Sequence, residues 1–501
     1  MPSDPGRTQR LHPLSLLFSI GAVARGLLLP GIAVLFFSGG SNYEFWLMIF
    51  FIPAAISAVV KYVAYSYRLG DEEMMVREGV LTRNERHIPY ARIQNVNLVQ
   101  NPFHRMFGVA EVHLETASGS KPEAIIRVLS LSSVDTIRDL VFRERDAGAP
   151  GDVVKTEEGE ATRLLELPTS ELILLGLISN RGMAVIAAIM GLLWQFDLWG
   201  LDWGRVADEA PRLKEKIGLN AAPSAVTSIL FGLALLVVGV ILMKALSVIW
   251  SLFRFHGFTL SRRGRDLRAR YGLFTRYTAT IPTHRIQLLS SRTTPLHRLF
   301  HRSGILAETA GGGTGNDAEE QRETHRLWLA PILDASKVET FQKELLPEAD
   351  LEQAEWTQLP RRAIRRVRNR GFILTVLATI GSVVALGGWG FAIGAACAGW
   401  SVLHARQWWK HAAWAVTPHA VAYKSGWWTR RTSVVRFAKI QTVSVSSTPF
   451  DRRLGMARLQ VDTAGAGKAG HRLSIPFLPF DAAAGLHGRL AAEAARVGFR
   501  W

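Results

Sequence analysis

The stretch HIPYARIQNVNLVQNPFHRMFG (residues 87–108) decides the organisation of this chain, because the chain contains the same phrase three times. It returns as TIPTHRIQLLSSRTTPLHRLF (residues 280–300) and as VRFAKIQTVSVSSTPFDRRLG (residues 435–455). Each copy has a basic residue before Ile-Gln, then a largely alternating run, and then a proline followed by an arginine. A phrase repeated at this length predicts a repeated structural unit.

Three glycines, Gly79, Gly272 and Gly426, anchor the repeat. In every copy a basic residue stands thirteen positions after the glycine, a proline ten positions further on and an arginine three beyond the proline. A threonine follows thirty-seven positions after each glycine. These residues are Arg92, Arg285 and Lys439; Pro102, Pro295 and Pro449; Arg105, Arg298 and Arg452; and Thr116, Thr309 and Thr463. The chain is therefore predicted to contain three copies of one domain.

Apolar residues make up 48% of the 501 residues and are concentrated in long runs with few charges. These runs are residues 27–37, 45–60, 183–194, 225–250 and 372–403. Apolar stretches of about 17–25 residues are typical of membrane helices. The sequence therefore predicts a polytopic membrane protein.

An Arg-Gly pair stands just before an apolar run in each repeat, at Arg25, Arg181 and Arg370, and a proline precedes each pair. One continuous helix through residues 14–37 would place Arg25 in the middle of the bilayer, which costs several kcal/mol. A surface helix that ends at the arginine avoids this cost. We therefore predict that each unit consists of a surface helix, a two-helix membrane hairpin and a soluble domain.

The net charge of +17 raises the question of a nucleic-acid partner. Lys and Arg are concentrated in the segments that flank the apolar runs, whereas the turns within the first and third hairpins carry almost none. This asymmetry is typical of a membrane protein with basic cytoplasmic segments. We predict a multi-pass protein of the bacterial cytoplasmic membrane, with both termini and all three domains in the cytoplasm and no nucleic-acid partner.

Each soluble domain shows the pattern of a small antiparallel sheet. Two strands meet at each anchor glycine, which supplies the positive φ of a tight turn. Alternation at Gln94, Val96 and Leu98 predicts a half-buried strand, and further strands follow. An amphipathic helix comes last, beginning near Ser133 in the first copy. This order predicts a barrel-like sheet closed by a C-terminal helix.

These motifs resemble the second type of bacterial pleckstrin-homology-like (PH-like) domain, a family of membrane-flanked domains of unknown function. The resemblance rests on the Gly79 turn and on IPYARIQNV, NPFHRMFG and ETASG with their counterparts, and it covers nearly the whole chain. It implies three PH-like domains between paired membrane helices and a smaller companion protein with one such domain. The third copy departs from the pattern with Val435-Arg436 in place of Ile-Pro and with Lys439 in place of arginine.

The predicted fold class is a mixed membrane protein with three transmembrane hairpins, each followed by a PH-like β-barrel or sandwich closed by an α-helix. The predicted boundaries are 11–67 (surface helix and hairpin), 68–146 (domain one), 147–163 (linker), 164–253 (surface helix and hairpin, with an extracytoplasmic loop at 196–222), 254–347 (domain two), 348–358 (linker), 359–409 (basic surface helix and hairpin) and 410–501 (domain three).

Basic and aromatic residues of the repeat are candidates for binding phosphate, lipid headgroups or a partner protein, because planar guanidinium groups suit phosphate and carboxylate. The candidates are Arg83, Arg92, Arg105, Arg276, Arg285, Arg298, Trp427, Trp428, Arg430, Lys439 and Arg452, with Gly79, Gly272 and Gly426 as structural turns. The alternative is structural: Ile93 is core and Gln94 is a buried amide. For the turn residues, the alternative places one side chain inside the barrel and one outside.

Other motifs favour no chemistry. His297 and His301 have the i,i+4 spacing of zinc ligands but lack an acidic partner nearby, so we predict no metal. The Gly-rich residues 310–317 lack the Lys-Ser/Thr of a phosphate loop, and the single cysteine, Cys397, lies in an apolar run. We predict no enzyme activity and no cofactor.

The predicted function is a scaffold or interaction protein at the membrane surface that binds the bilayer and self-associates or binds a small related protein. The alternative is a component of an export, lipid- or peptide-sensing or envelope-defence pathway.

Overall fold

The computed structural model describes residues 8–10, 56–57, 59–60, 62–79, 82–90, 93–116, 124–131, 133–134, 136–137, 162–195, 225–264, 266–309, 326–352, 354–463 and 472–496. Within these ranges the three copies follow one plan. A short strand precedes the helices of each unit and joins three later strands in a first antiparallel sheet. Three further strands form a second antiparallel sheet.

The described elements of unit one are β1 (Thr8–Arg10), β2 (Ser66–Leu69), β3 (Glu73–Glu78), β4 (Asn84–Pro89), β5 (Ile93–Gln100), α1 (Pro102–Met106), β6 (Val109–Thr116) and β7 (Ala124–Ser130). Those of unit two are β8 (Thr162–Glu166), α2 (Thr169–Ile178), α3 (Arg181–Gln195), α4 (Ala225–Phe255), β9 (Thr259–Arg263), β10 (Asp266–Tyr271), β11 (Arg276–Pro282), β12 (Ile286–Thr293), α5 (Pro295–Leu299), β13 (Arg302–Thr309), β14 (Arg326–Asp334) and α6 (Val338–Leu345). Those of unit three are β15 (Thr357–Gln358), α7 (Arg362–Leu386), α8 (Trp389–Lys410), β16 (Ala413–Val416), β17 (Ala420–Ser425), β18 (Arg430–Arg436), β19 (Ile440–Ser446), α9 (Pro449–Arg452), β20 (Met456–Thr463), β21 (Leu473–Pro479) and α10 (Phe480–Arg496).

The sheets run across the boundaries between units. The second sheet of unit one continues into the first sheet of unit two through β5 and β11. In the same way, β12 of unit two pairs with β18 of unit three. We call these pairings joint one and joint two. The prediction gave each domain its own barrel or sandwich and did not include this sharing of sheets between units. The strands join because the middle of each incoming edge, residues 278–280 or 432–434, carries no charge that would protect it.

The core of each unit lies between its two sheets. In unit one, Met74 and Ile88 of the first sheet pack with Val96 and Leu114 of the second sheet, and all four side chains are buried. The core of unit two also includes Val434, which belongs to unit three. The cores of units two and three therefore meet across joint two.

Helices at the C-terminal end of units two and three pack on these cores. In α6, Phe341 and Leu345 are buried. In α10, which contacts β19 and β20, Leu486 and Leu490 are buried. In unit one, Ile137 is helical and fully buried. The amphipathic pattern thus placed the apolar faces of these helices correctly.

Among the described residues, two helices are long and apolar enough to cross a membrane. They are residues Gly232–Phe255 within α4 and the whole of α7. Helices α2 and α3 together would provide a third crossing, although the chain bends by 67° between them. Most of the predicted first hairpin and the predicted loop at 196–222 lie outside the described residues.

The prediction of a surface helix before each Arg-Gly pair fits unit two but not unit three. In unit two the chain breaks before Arg181, where Ser179 takes an extended conformation. In unit three, α7 passes through Arg370 without a break. The preceding segment RRAIRRVRN consists mainly of good helix formers and contains no Pro or Gly, so nothing stops the helix.

In units two and three, whose Arg-Gly pairs the structure describes, the glycine lies where two helices cross closely. A Cβ atom on Gly182 would lie 2.0 Å from the Met243 carbonyl oxygen of α4, and one on Gly371 would lie 2.0 Å from Ser401 Oγ of α8. The Gly182 amide also donates a hydrogen bond of 2.7 Å to Ser247 Oγ. Small residues allow helix backbones to approach in this way. These contacts hold α3 against α4 and α7 against α8.

The first strand of each unit was not predicted. Strands β1, β8 and β15 lie before the helices and pair with β2, β9 and β16, so the chain enters each sheet before it enters the helices. For this reason residues 162–163, predicted as linker, belong to the sheet of unit two. Three similar short segments ahead of the prolines, TQRLHP, RLLELP and TQLP, were the available signal.

Candidate functional site

The two joints share one register, although their sequences differ. In joint one, Arg276 pairs with Gln100, and in joint two, Arg430 pairs with Thr293. Each arginine is the fourth residue after its anchor glycine, and each partner stands two residues before the repeated proline. The repeat therefore specifies how one unit attaches to the next.

An arginine of the preceding unit fastens each joint. Arg105 Nη1 donates a hydrogen bond of 3.0 Å to the carbonyl oxygen of Leu273, in the turn after Gly272. Arg298 Nη2 donates one of 3.3 Å to the carbonyl oxygen of Trp428, in the turn after Gly426. Both arginines were predicted to bind a ligand or a partner. The described contacts are with the adjacent unit of the same chain.

Arg436 forms a second set of contacts across joint two. Its Nη2 atom lies 3.0 Å from the carbonyl oxygen of Thr283, 3.1 Å from that of His284 and 3.0 Å from that of Ile286. Burial lowers the pKa of Arg436, and an ion pair of 3.6 Å with Glu348 offsets part of this effect. The departure of the third copy from Ile-Pro thus supplies a contact between units that proline cannot make. Our list of candidate residues missed it, and the departure itself was the signal.

Each joint also brings two predicted arginines of different units together. Burial and the charges of Arg270 and Arg105 lower the pKa of Arg276. Burial and the charge of Arg298 lower the pKa of Arg430. Two like charges that act on each other in this way repel, and an anion bound between or beside them would reduce that repulsion. The pairs Arg105/Arg276 and Arg298/Arg430 are therefore candidate anion sites.

The turns at the joints pack against long helices, near the C-terminal end of α4 in unit two and near the middle of α8 in unit three. In unit two, the Leu273 amide donates a hydrogen bond of 2.9 Å to the carbonyl oxygen of Phe253, and the rings of Phe253 and Phe274 lie 5.0 Å apart. In unit three, the Trp427 ring lies 5.7 Å from the ring of Trp400 in α8. Trp427 is thus half-buried against the helix, whereas 58% of Trp428 is exposed.

Glycine is required at the anchor turns for two reasons. Gly79, Gly272 and Gly426 have φ angles of 97°, 112° and 81°. A Cβ atom at any of them would lie 2.1 Å from the carbonyl oxygen three residues later. Their predicted role as structural turns fits this geometry.

The remaining candidates are distributed around the joints. Arg285 of unit two and Lys439 of unit three face each other across joint two, where burial and the charges of Arg436 and Arg285 lower the pKa of Lys439. Arg83 and Arg452 are exposed at the two ends of the chain of units. Arg92 lies outside the described residues.

The structural interpretation of Arg-Ile-Gln fits unit two. Ile286 and Gln287 are buried there, and Gln287 Nε2 donates a hydrogen bond of 3.4 Å to the Arg285 carbonyl oxygen. In unit three Gln441 is exposed instead. The side chain of Gln94 lies outside the described residues. Within the described ranges no group of three or more His, Cys, Asp or Glu side chains is arranged to hold a metal ion.

A cleft of about 710 Å³ opens beside the Gly79 turn. Its apolar side includes Val59, Val60 and Val63 of the preceding helical segment. Its polar side includes Arg77 and Arg83 together with Glu78 and Glu85, and Arg77 forms an ion pair of 3.0 Å with Glu85. An apolar wall next to guanidinium groups is the combination that an amphiphile with an anionic head would fit.

Comparisons with known proteins agree with this architecture. Residues 15–145, 217–348 and 372–494 each match the bacterial PH domain family. The chain is also 24% identical over 473 residues to the UPF0699 transmembrane protein YdbT of Bacillus subtilis (strain 168), which covers 90% of this chain and 91% of that protein. No solved structure matches the chain. The matches confirm the predicted resemblance and its three copies: the chain belongs to the bacterial PH domain family, as a membrane protein with three such domains.

Proposed function

We propose that the protein is a non-enzymatic scaffold of the cytoplasmic membrane, in which three membrane hairpins tether three PH-like units at the cytoplasmic surface. The observation that carries this proposal is the pair of joints. Shared sheets and arginine contacts fix the three units in one row, and the turns at the joints pack against the helices α4 and α8. A fixed row beside a membrane presents several binding surfaces at once, so weak contacts add up.

The expected partner is a smaller membrane protein with one PH-like domain, or a second copy of the chain. The test is co-purification of the tagged full-length protein after mild detergent extraction. We expect a stoichiometric companion, or a complex larger than one chain by light scattering. A single chain in its detergent micelle with no companion would contradict the proposal.

Anionic lipid headgroups are the second expected ligand. The arginine pairs of the joints lie next to exposed apolar side chains, among them Phe274 and Trp428. Attraction to an anionic surface is worth roughly 1 kcal/mol per basic residue, or about fivefold in affinity. These features together suit a phosphate group at the membrane interface.

Lipid mass spectrometry of the purified protein tests this expectation. Arg276→Gln/Arg430→Gln should reduce the retained phosphatidylglycerol relative to phosphatidylcholine several-fold. The matched control is Arg263→Gln/Arg489→Gln, which removes the same charge from two exposed arginines away from the joints. Equal loss in both variants would show that only net charge matters.

The cleft beside the Gly79 turn favours the alternative function, which is sensing of a lipid or an amphipathic peptide. Arg83 at the polar side would hold an anionic head, and the valines of the helical segment would hold its tail. We expect Val63→Trp, which fills the cleft, to displace a co-purifying amphiphile. An unchanged amphiphile content would remove this function.

A further inference from the structure

The two ends of the row of units are not equivalent. At one end, β4 of unit one is the edge strand of the first sheet, in the position that β11 and β18 occupy at the joints. At the other end, β19 of unit three is the edge strand of the second sheet, in the position of β5 and β12. Each end is therefore one half of a further joint.

The edge at β4 is protected by charge. The joint-forming strands carry Thr278-Ala279-Thr280 and Thr432-Ser433-Val434, whereas β4 carries Glu85-Arg86-His87 at the same positions after the anchor glycine. Ion pairs of 3.0 Å (Arg77–Glu85) and 2.9 Å (His87–Glu73) anchor two of these side chains to the neighbouring strand β3. Charged residues of this kind prevent edge strands from pairing.

The edge at β19 has no such protection. Its sequence IQTVSVS contains no charged residue and no proline, and four of its residues, Gln441, Thr442, Ser444 and Ser446, are exposed. Among the described residues, β19 pairs with β20 alone. An uncharged open edge of this length is a template for another strand.

The second component of a joint is an arginine, and at the β19 end this residue is Arg452. It occupies the position of Arg105 and Arg298, the arginines that donate to a carbonyl oxygen of the next unit. Its side chain is exposed and makes no hydrogen bond with the described part of the chain. Both components of a joint, the strand and the arginine, are thus present here, and no further unit pairs with them among the described residues.

We propose that β19 and Arg452 form an acceptor joint for the first sheet of a PH-like domain carried by a different polypeptide. This inference rests on the proposed scaffold function and names its binding surface. The incoming domain presents a third strand with uncharged residues six and eight positions after its anchor glycine, as in Thr278/Thr280 and Thr432/Val434. Its glycine turn accepts a hydrogen bond from Arg452.

A second copy of this chain does not meet this requirement. In the shared register of the joints, its Glu85 would lie opposite Val445 and its His87 opposite Val443, which pack partly buried against the core of unit three. The corresponding residues Thr278 and Thr280 are each 7% exposed in joint one. Burial of charged groups at these positions is unfavourable even within the ion pairs of β3 and β4, because the cost of desolvation can exceed the attraction between the partners. The charges on β4 therefore keep the acceptor free for another protein.

A disulfide experiment with this chain alone tests the proposal. Two differently substituted forms of this chain are mixed, and both carry Cys397→Ala. The form called the acceptor carries Ser444→Cys in β19, and the forms called donors carry a cysteine in β4. One donor carries Arg86→Cys with Glu85→Thr and His87→Val, and the matched donor carries Arg86→Cys alone. Residues 444 and 86 correspond to Asn97 and Ala279, which are direct partners in joint one. Opposed strand residues lie within the distance that a disulfide can bridge.

We expect the converted donor to form a disulfide-linked pair with the acceptor at least tenfold more than the matched donor does. Arg452→Ala in the acceptor should reduce this yield several-fold. Asn97→Cys/Ala279→Cys within one chain is the positive control for oxidation. Equal yields from the two donors, or no pair from the converted donor while the control closes, would overturn the proposal.

A second measurement covers the case in which the converted donor does not fold. A fluorescent peptide with the sequence of residues 428–437 is titrated against the otherwise unchanged chain and against Val445→Pro. Saturable binding to the first and loss of at least tenfold in the second supports the proposal, and equal or absent binding overturns it. Neither experiment uses a natural companion, so a failure here leaves a scaffold that binds partners elsewhere. A failed co-purification would leave the acceptor joint in place.

Discussion

At the scale of single residues, arginines hold the units together through backbone carbonyl oxygens, and one of them, Arg436, is buried. Arg436 is 8% exposed and contacts three carbonyls of the turn that begins at Thr283. A guanidinium presents its donors in a fixed fork, which suits a curved run of carbonyl groups. Because the acceptors belong to the main chain of unit two, this contact depends on the fold of the turn and not on its side chains.

We predict that Arg436→Ala lowers the free energy of unfolding by about 2 kcal/mol, since hydrogen bonds from charged groups contribute at the upper end of the usual range and the carbonyls lose their donor. The loss should appear as a lower melting temperature of the protein in detergent. Arg489→Ala, at an exposed position of α10, is the control and should change the melting temperature little. Equal melting temperatures for Arg436→Ala and the control would contradict the role of Arg436.

His297 gives the fold a pH dependence. Its Nδ1 atom lies 2.7 Å from the hydroxyl of Thr294, and burial together with the charge of Arg292 lowers its pKa from 6.5 to about 4. Between these values the unfolded chain binds a proton at His297 and the folded chain does not. The contribution of His297 to stability therefore falls as the pH is lowered from about 6.5 to about 4.

We predict that His297→Gln loses this part of the pH dependence. Melting temperatures of both proteins between pH 7 and pH 4 provide the measurement. The wild-type protein should lose stability more steeply than the variant over this range. Parallel curves would show that His297 takes up its proton at the same pH in the folded and the unfolded chain.

At the scale of elements, the helix pairs depend on small residues at their crossings. Gly371 lies so close to Ser401 that there is no room for a side chain at position 371. Gly182 lies equally close to α4 beside Ser247. The two serines stand twenty-five residues before Gly426 and Gly272, so the crossing belongs to the repeat. The Arg-Gly pair therefore has two functions. Its arginine stands just before the apolar run begins, and its glycine sets the distance between the helices.

We predict that Gly371→Leu separates α7 from α8 and lowers the free energy of unfolding by about 3 kcal/mol, the upper range for an overpacked contact. Gly381→Leu is the matched control, because a side chain on Gly381 in the same helix meets nothing within 4 Å. Thermal unfolding in detergent compares the two variants. An equal effect of the two substitutions would contradict the close crossing.

Periodicity predicted the elements well and their pairing poorly. The alternation of Val96 and Leu98, the glycine turns and the apolar faces of the closing helices depend on near neighbours in sequence, which patterns record directly. The pairing of β5 with β11 depends on two edges almost two hundred residues apart, and its mark on the sequence is confined to the uncharged residues in the middle of the facing strands. The contrast between Glu85-Arg86-His87 and Thr278-Ala279-Thr280 carried that information. The meaning of this contrast can be recognised only when the pairing of β5 with β11 is known.

At the scale of the whole molecule, the joints explain why three copies occur in one chain. Each unit completes the sheet of its neighbour, so the row is continuous and each added unit buries one more pair of edges. The repeat also places both joints beside a long helix, α4 at joint one and α8 at joint two. Arg105, Arg298 and Arg452 were predicted as one group of ligand contacts. The structure divides them into two that fasten neighbouring units and one at the open end of the row.

The orientation predicted from the charge asymmetry of the sequence supports a further prediction. If the joints lie at the cytoplasmic surface, a cysteine in the predicted loop at 196–222 must be on the opposite side from one in unit three. We predict that Asp202→Cys reacts with an impermeant maleimide in intact cells and that Arg489→Cys reacts after the membrane is opened, both in a Cys397→Ala background. The charge asymmetry of the flanks is the physical reason, because Lys and Arg are retained on the cytoplasmic side during insertion. Reaction of residue 489 in intact cells would reverse the orientation and place the acceptor edge at β19 outside the cell, where a cytoplasmic partner could not reach it.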